Sequence, residues 1–463
     1  MSTETTAAAP LPPSTTRRPL GPNYRKVFTA SVISNLGDGV AQIGYPWLAS
    51  AITRNPLLIA LVAVTQKLPW LLFSLPAGVI TDRADRRKLI VRMDALRAVI
   101  TLVVAVAVLG FSNKLPDTDA LESVVGTQTG LYVILVVASL LLGMAEVLRD
   151  NSAQTIIPSI VDAENLERAN GRMWSAEQIA NSFVGPPLGS ILIGVAFFLP
   201  FALDSLSFAV AAGLVALVAG QFRARSVVSE GEVAAAPNWK VELKEGVRWL
   251  WQHPVLRTLA IVLGMLNALS NLETATLVLF AQEVLHTSAF EFAILSMGGV
   301  TGAVLGGFTA SAISKKLGTG PSLWMTLIAT VVTPIPIGLT SWWPLVFAMF
   351  ALGMFVAVVW NVITVSLRQA IIPDHLLGRV NSVYRFFGWG SIPIGTALGG
   401  LTVVLVEPMW GREAALRAPW FLSSALGVLV CIYAIPRLTS QRLDAARAEG
   451  IAAKAAEGDT VTP

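Results

Sequence analysis

The chain has 463 residues, of which 54% are apolar and 13% charged, with a mean hydropathy of +0.66. A soluble chain of this length needs far more charge to cover its surface, so these values exclude a set of soluble domains and indicate a membrane protein with short loops. The net charge of +4 lies in segments flanking apolar runs, which argues against nucleic-acid binding, and one cysteine (Cys431) with three scattered histidines (His253, His286 and His375) excludes a disulfide framework and a Cys- or His-built metal site.

Residues 1–23, rich in Thr, Ala and Pro, read as a disordered cytoplasmic tail, with no signal-peptide pattern after it. A crossing needs about 20 apolar residues. Six candidates follow at 27–51, 57–80, 89–111, 130–148, 170–195 and 200–220, within a bundle at 24–220. The polar stretch 221–254 reads as a cytoplasmic linker, and its Trp239-Lys240-Val241-Glu242-Leu243 and Trp249-Leu250-Trp251 predict an amphipathic interfacial helix. Six more candidates lie at 256–282, 290–313, 322–341, 343–367, 380–406 and 419–435, within a second bundle at 255–436, before a cytoplasmic tail at 437–463. The expectation is an all-α membrane protein of about twelve helices. Lys and Arg crowd the even-numbered loops (Arg86, Arg87, Lys88; Arg168, Arg172; Lys240, Lys244; Lys315, Lys316; Arg379), which places those loops and both termini in the cytoplasm.

The two bundles echo each other. Gln154-Thr155-Ile156-Ile157-Pro158 recurs as Gln369-Ala370-Ile371-Ile372-Pro373, Arg168 and Asn170 as Arg379 and Asn381, and Ser34-Asn35-Leu36 as Ser270-Asn271-Leu272. Matches in one order imply a duplicated six-helix unit, an architecture that carries a substrate path between its halves.

Charges inside the spans are the functional candidates, because a lone charge at mid-membrane costs at least about 3 kcal/mol. Asp38 lies about 16 Å into the first span at ~1.5 Å per residue, and Lys67 falls near the same depth in the second. A pair between them, or a wet cavity holding both, would relieve the cost. Asn35, Asp38, Gln42 and Tyr45 share one helical face, expected to line the cavity. Asn271 and Arg385 are further cavity candidates, and Glu273, near the repeat position of Asp38, is a second protonatable carboxylate. Asp94, Arg97, Glu146, Arg149 and Asp150 are assigned to the cytoplasmic ends of their spans, as an inner gate with Asp82 and Arg83. Trp70, Phe73, Trp360, Phe386, Phe387 and Trp389 are candidates for an apolar lining, although packing or lipid contact is the commoner role of such residues.

Two motifs carry a resemblance. Gly78-Val79-Ile80-Thr81-Asp82-Arg83-Ala84-Asp85-Arg86-Arg87 resembles the G-x-x-x-D-R-x-x-R-R signature of the major facilitator superfamily, and Gly185-Pro186-Pro187-Leu188-Gly189-Ser190 resembles the G-P-x-x-G-G element of its antiporters, departing at Ser190. With Ser34-Asn35-Leu36-Gly37-Asp38 and Pro76-Ala77-Gly78, the chain is similar to the branch of macrolide-efflux proteins and the enterobactin exporter. The resemblance implies a proton-driven secondary exporter of a lipophilic or amphiphilic small molecule, with Gly78, Asp82, Arg83, Arg86 and Arg87 in a conformational gate and Gly185, Pro186 and Gly189 kinking the fifth span. A proton-coupled importer, or a non-transporting membrane scaffold or receptor, stays open. No phosphate loop, nucleophile–base pair or cofactor motif is present, so an ATP-driven pump and an enzyme are disfavoured. The expected partners are a small-molecule substrate, protons and the lipid bilayer, with the protein acting as a monomer.

Overall fold

A computed structural model describes residues 20–73, 76–77, 80–81, 84–117, 120–121, 124–162, 165–220, 222, 239–373 and 376–459. Residues 1–19 of the expected tail and much of the linker at 221–254 lie outside them, as do Gly78, Asp82 and Arg83. The first half holds α1 (Pro22–Ile52), α2 (Pro56–Leu72), α3 (Arg86–Gly110), α4 (Thr129–Ile156), α5 (Leu166–Gln178), a π turn (Ile179–Val184), α6 (Gly185–Val195) and α7 (Leu199–Ala216). After α8 (Trp239–Gln252), the second half holds α9 (Pro254–Thr274), α10 (Leu277–Glu283), α11 (Ala289–Leu317), α12 (Thr319–Val332), α13 (Pro334–Leu339), α14 (Trp343–Ile371) and α15 (Leu377–Ala434). The last helix is α16 (Ser440–Asp459).

Capping chemistry sets several helix starts. The Asn55 side chain accepts from the backbone N–H groups of Leu57 and Leu58, Asp85 accepts from Lys88, and Ser288 with Glu291 forms a capping box at α11. Each satisfies donors that a helix end leaves open, which matters most where water is scarce.

Among the described residues, eight helical stretches are long and apolar enough to cross a membrane. The stretch within α15 is two limbs broken at Gly411, whose φ of 80° and ψ of 170° no helix accommodates. α1, diluted by its polar stripe, the shorter apolar α2, and the α5–α6 rod complete twelve crossings, six in each half. The packing repeats too. α1 lies against α6, α2 against α4 and α3 against α7 in the first half; α9 against α15, α11 against α14 and α12 against α15 in the second. Between the halves, α2 meets α15 and α6 meets α11, the same pair of positions exchanged.

The two ends of the bundle differ. At the end bearing Arg54, buried residues of both halves form one continuous core, including Trp47, Leu48, Phe201, Phe280, Phe292 and Trp420. Towards the end bearing Arg86, the described cores are separate: Tyr24, Ile90, Met173 and Phe222 in the first half, and Leu256, Trp360, Leu367 and Leu438 in the second. An ionic knot ties the halves at the Arg54 end. Arg54 pairs with Glu283, Arg412 Nε lies 2.7 Å from the other Glu283 oxygen, and Arg412 Nη2 donates to the Arg54 carbonyl at 2.8 Å.

Candidate transport cavity

The polar stripe of α1 does not pack against a neighbour along its whole length; it opens into a cavity of about 460 Å³ between the halves. Asn35, Asp38, Gln42 and Tyr45 line it from α1, and Lys67 and Gln66 from α2. Gln42 Nε2 donates to Asn181 Oδ1 at 2.5 Å, which fixes the stripe against the π turn. The π turn precedes Gly185-Pro186, where proline removes a backbone donor and the ladder shifts by one residue. A β-carbon on Gly185 would stand 2.5 Å from Gly39 Cα, and one on Gly189 2.5 Å from the Val40 carbonyl oxygen, so the kinked span needs both glycines to reach α1.

Asp38 does not pair with Lys67. Its partner is Arg97 of α3, whose Nη2 lies 2.6 Å from Asp38 Oδ1 and whose guanidinium stacks 3.9 Å over the Phe208 ring. Matching depth put Lys67 and Asp38 at one level, but depth does not fix which way a side chain turns around its helix. Both still line the one cavity. Arg97 also faces Asp94 at 3.7 Å; Arg149 lies 3.6 Å from Asp94 and 3.2 Å from Asp150. These residues do not sit at the end of the bundle as an inner gate. Arg97, Glu146, Arg149 and Asp150 line the cavity with Asp38, and Asp94, fully buried, bridges the two arginines behind them.

Arg86 and Arg87 remain apart from this cluster: Arg86 reaches Ser159 Oγ at 3.4 Å, and Arg87 donates to the Val218 carbonyl at 2.7 Å. Asn271 donates to the Asn267 carbonyl at 2.8 Å. Glu273 accepts from Ser423 Oγ at 2.5 Å within the second half. Neither is among the cavity-lining residues, where Thr274 and Ala275 stand instead. The Arg385 side chain lies outside the described residues. Aromatic lining comes from Tyr45, Phe208 and Phe292. Trp360 belongs to the second-half core, and Trp70 stacks on Trp389 across the α2–α15 seam with ring centroids 5.3 Å apart.

The residue that sequence reading missed is Asp204 of α7. It is 2% exposed, it lines the cavity, and its Oδ1 has no hydrogen-bond donor among the described residues. The signal was present: Asp204 is the lone charge of an otherwise apolar span.

Twelve crossings in two matching halves around a central polar cavity define a multi-pass secondary transporter of the major facilitator fold. The model of the MFS_3 family, the transmembrane secretion effectors, matches residues 14–448, and the chain belongs to that family. It is 25% identical over 392 residues to the multidrug efflux pump Tap of Mycolicibacterium fortuitum, covering 81% of this chain and 87% of that one. It is 24% identical over 395 residues to the enterobactin exporter EntS of Citrobacter koseri, covering 83% and 86%. A bacterial homologue of the iron transporter ferroportin, solved in an inward-facing state, superposes with a TM-score of 0.65 at 14% identity, covering 90% of this chain and 98% of that one.

Proposed function

We propose that this efflux transporter expels a lipophilic or amphiphilic small molecule across the cell membrane, working as a monomer by alternating access in exchange for protons. The observation that carries the reading is the cavity itself: seven charged side chains within the apolar helices, in a space lined by both halves. The efflux relatives support the direction. The Lys/Arg bias supports an Arg86 end in the cytoplasm with both termini, so the Arg54 knot would close the outer end and the cavity would be served from inside.

Asp38 is the proposed proton carrier. A proton on Asp38 removes the charge that holds Arg97 at 2.6 Å, and Arg97 then turns to Asp94 or Asp204. That exchange shifts α1 relative to α3 and so links protonation to helix movement. Glu273, hydrogen-bonded in the second half, is the second candidate. Asn35, Gln42, Tyr45 and Lys67 would contact substrate, while Gly78, Asp82, Arg83, Arg86 and Arg87 would gate the inner end.

The test is transport in proteoliposomes under an imposed pH gradient with a panel of dyes, macrolides and siderophores. The wild-type protein is expected to accumulate at least one compound uphill, and Asp38→Asn to abolish uphill movement while sparing downhill exchange. Normal uphill transport by Asp38→Asn would remove Asp38 from the mechanism. For orientation, single cysteines in a Cys431→Ser background are expected to react with an impermeant reagent from outside at Ser112 and His286, and only from inside at Ser226, a position outside the described residues. Outside labelling at Ser226 in intact cells would reverse the topology.

A further inference from the structure

The charges of α8 are sorted by flank. At about 100° per residue, Lys240, Lys244 and Arg248 recur every fourth position and share a register with Val247 and Trp251, while the two acids, Glu242 and Glu245, fall outside that stripe. Gly246 and Leu250 are buried where α8 packs on α9 and α15. Lys244, Val247, Arg248 and Trp251 are exposed. Among the described residues no carboxylate pairs with Lys244 or Arg248.

Chain connection fixes the depth of this flank. His253, with φ −92° and ψ 107°, breaks the helix, and Pro254 begins the apolar crossing that runs to Glu283. Residues 248–252 therefore stand within about two turns of the first apolar residues, at the level of lipid headgroups. Trp251, 46% exposed, stacks on Phe387 of α15 with ring centroids 6.2 Å apart, and Phe386, 56% exposed, meets Phe387 edge-on at 6.1 Å. This ledge continues into the exposed apolar surface of α15 at Trp389, Ile394 and Leu398. Arg257 Nη1 donates to the Trp251 carbonyl at 3.2 Å, which brings a third cation to the ledge. Cations at headgroup level above an aromatic ledge that runs on into apolar surface complement a phosphate with acyl chains beneath it.

We propose that the elbow between α8 and α9 binds an anionic phospholipid of the adjoining leaflet, its phosphate taken by Lys244, Arg248 and Arg257 and its acyl chains lying over Trp251 and Phe386. Three cations unopposed by an acid among the described residues favour a headgroup of net negative charge over a zwitterionic one. α8 ends the segment that joins the halves, so a lipid held here fixes that segment to the membrane surface. The site lies outside the cavity and does not depend on what the cavity carries.

Hydrogen exchange of the full-length protein is followed at 239–257 in nanodiscs of phosphatidylcholine, with and without a minor fraction of phosphatidylglycerol of the same acyl chains. The backbone amides of 244–252 are expected to exchange at least about fivefold more slowly when phosphatidylglycerol is present. Lys244→Gln combined with Arg248→Gln is expected to remove that difference. Lys315→Gln combined with Lys316→Gln, which takes the same charge from exposed positions at the end of α11, is expected to preserve it. Free glycerophosphoglycerol added to the phosphatidylcholine nanodiscs is expected to leave exchange unchanged, because it lacks the chains that the ledge receives. No slowing by phosphatidylglycerol, slowing that survives loss of Lys244 and Arg248, its disappearance in the Lys315 and Lys316 control, or protection by the free headgroup would each overturn the proposal. The comparison on the unaltered protein decides even if a variant does not fold. No transport is measured, so the lipid site and the transport reading fail independently.

Discussion

Arg97→Ala is expected to cost the purified protein about 3–5 kcal/mol of stability and to abolish transport. The arginine is held by Asp38 at 2.6 Å and Asp94 at 3.7 Å, with 4% of its side chain exposed, and it covers the Phe208 ring. Its removal leaves Asp94, whose two oxygens have no hydrogen-bond donor among the described residues, with Arg149 alone at 3.6 Å. Breaking a buried pair from one side strands the other charge, which is worse than removing both. Arg97→Ala combined with Asp94→Asn is therefore expected to recover part of the loss. Thermal unfolding in detergent of the wild type, both single variants and the double variant measures the coupling. An Arg97→Ala protein with an unchanged melting temperature, or a double variant whose loss is the plain sum of the singles, would contradict this account of the cluster.

Glu283→Gln is expected to open the Arg54 end. Glu283 receives Arg54 of the first half on one oxygen and Arg412 of its own half on the other, so one substitution weakens the cross-half pair and the arginine that braces it. Gln282 continues the tie, accepting from Arg54 at 2.6 Å and donating to Ser50 at 2.9 Å. Charge-assisted hydrogen bonds contribute roughly 1.5–3 kcal/mol each, and about 1.4 kcal/mol already shifts a two-state population tenfold. A cysteine at Ala49 or Val278, both on the cavity wall, is expected to react about tenfold faster with an impermeant reagent added from outside when Glu283 is glutamine. Unchanged labelling rates would show that the apolar core around Trp47 and Phe280, rather than the ionic knot, holds this end shut.

The architecture was legible because its signals are long and redundant: twelve apolar runs and three recurring motifs, each readable without knowing how helices face one another. The cavity was legible only where a helix announces its own polar face, as α1 does with Asn35, Asp38, Gln42 and Tyr45. Partnerships between helices were not. Choosing Lys67 over Arg97 for Asp38 required the rotation of α2 and α3, which periodicity leaves free in spans that are apolar nearly all round. Arg97 was placed near the membrane edge because its span was counted from residue 89. In the structure the helix begins at Arg86, and Arg97 lies about 16 Å along it at 1.5 Å per residue. Asp204 was passed over for a different reason: it is the lone charge of its span, and a single acid shares no stripe or cluster that would draw the eye to it.

Gly411 carries a consequence for how freely this chain can change in length. It is the sole residue out of helical geometry between the two limbs of α15, and Arg412 of the knot follows it directly. A connection this short has no slack, so an inserted residue would rotate or displace the second limb and pull Arg412 off Glu283. The sequence at 223–238, by contrast, joins the halves with polar and small residues and no apolar run. Epitope tags and natural insertions should therefore be tolerated at 223–238 and rejected between Trp410 and Arg412, and homologous chains of different length should place their differences accordingly.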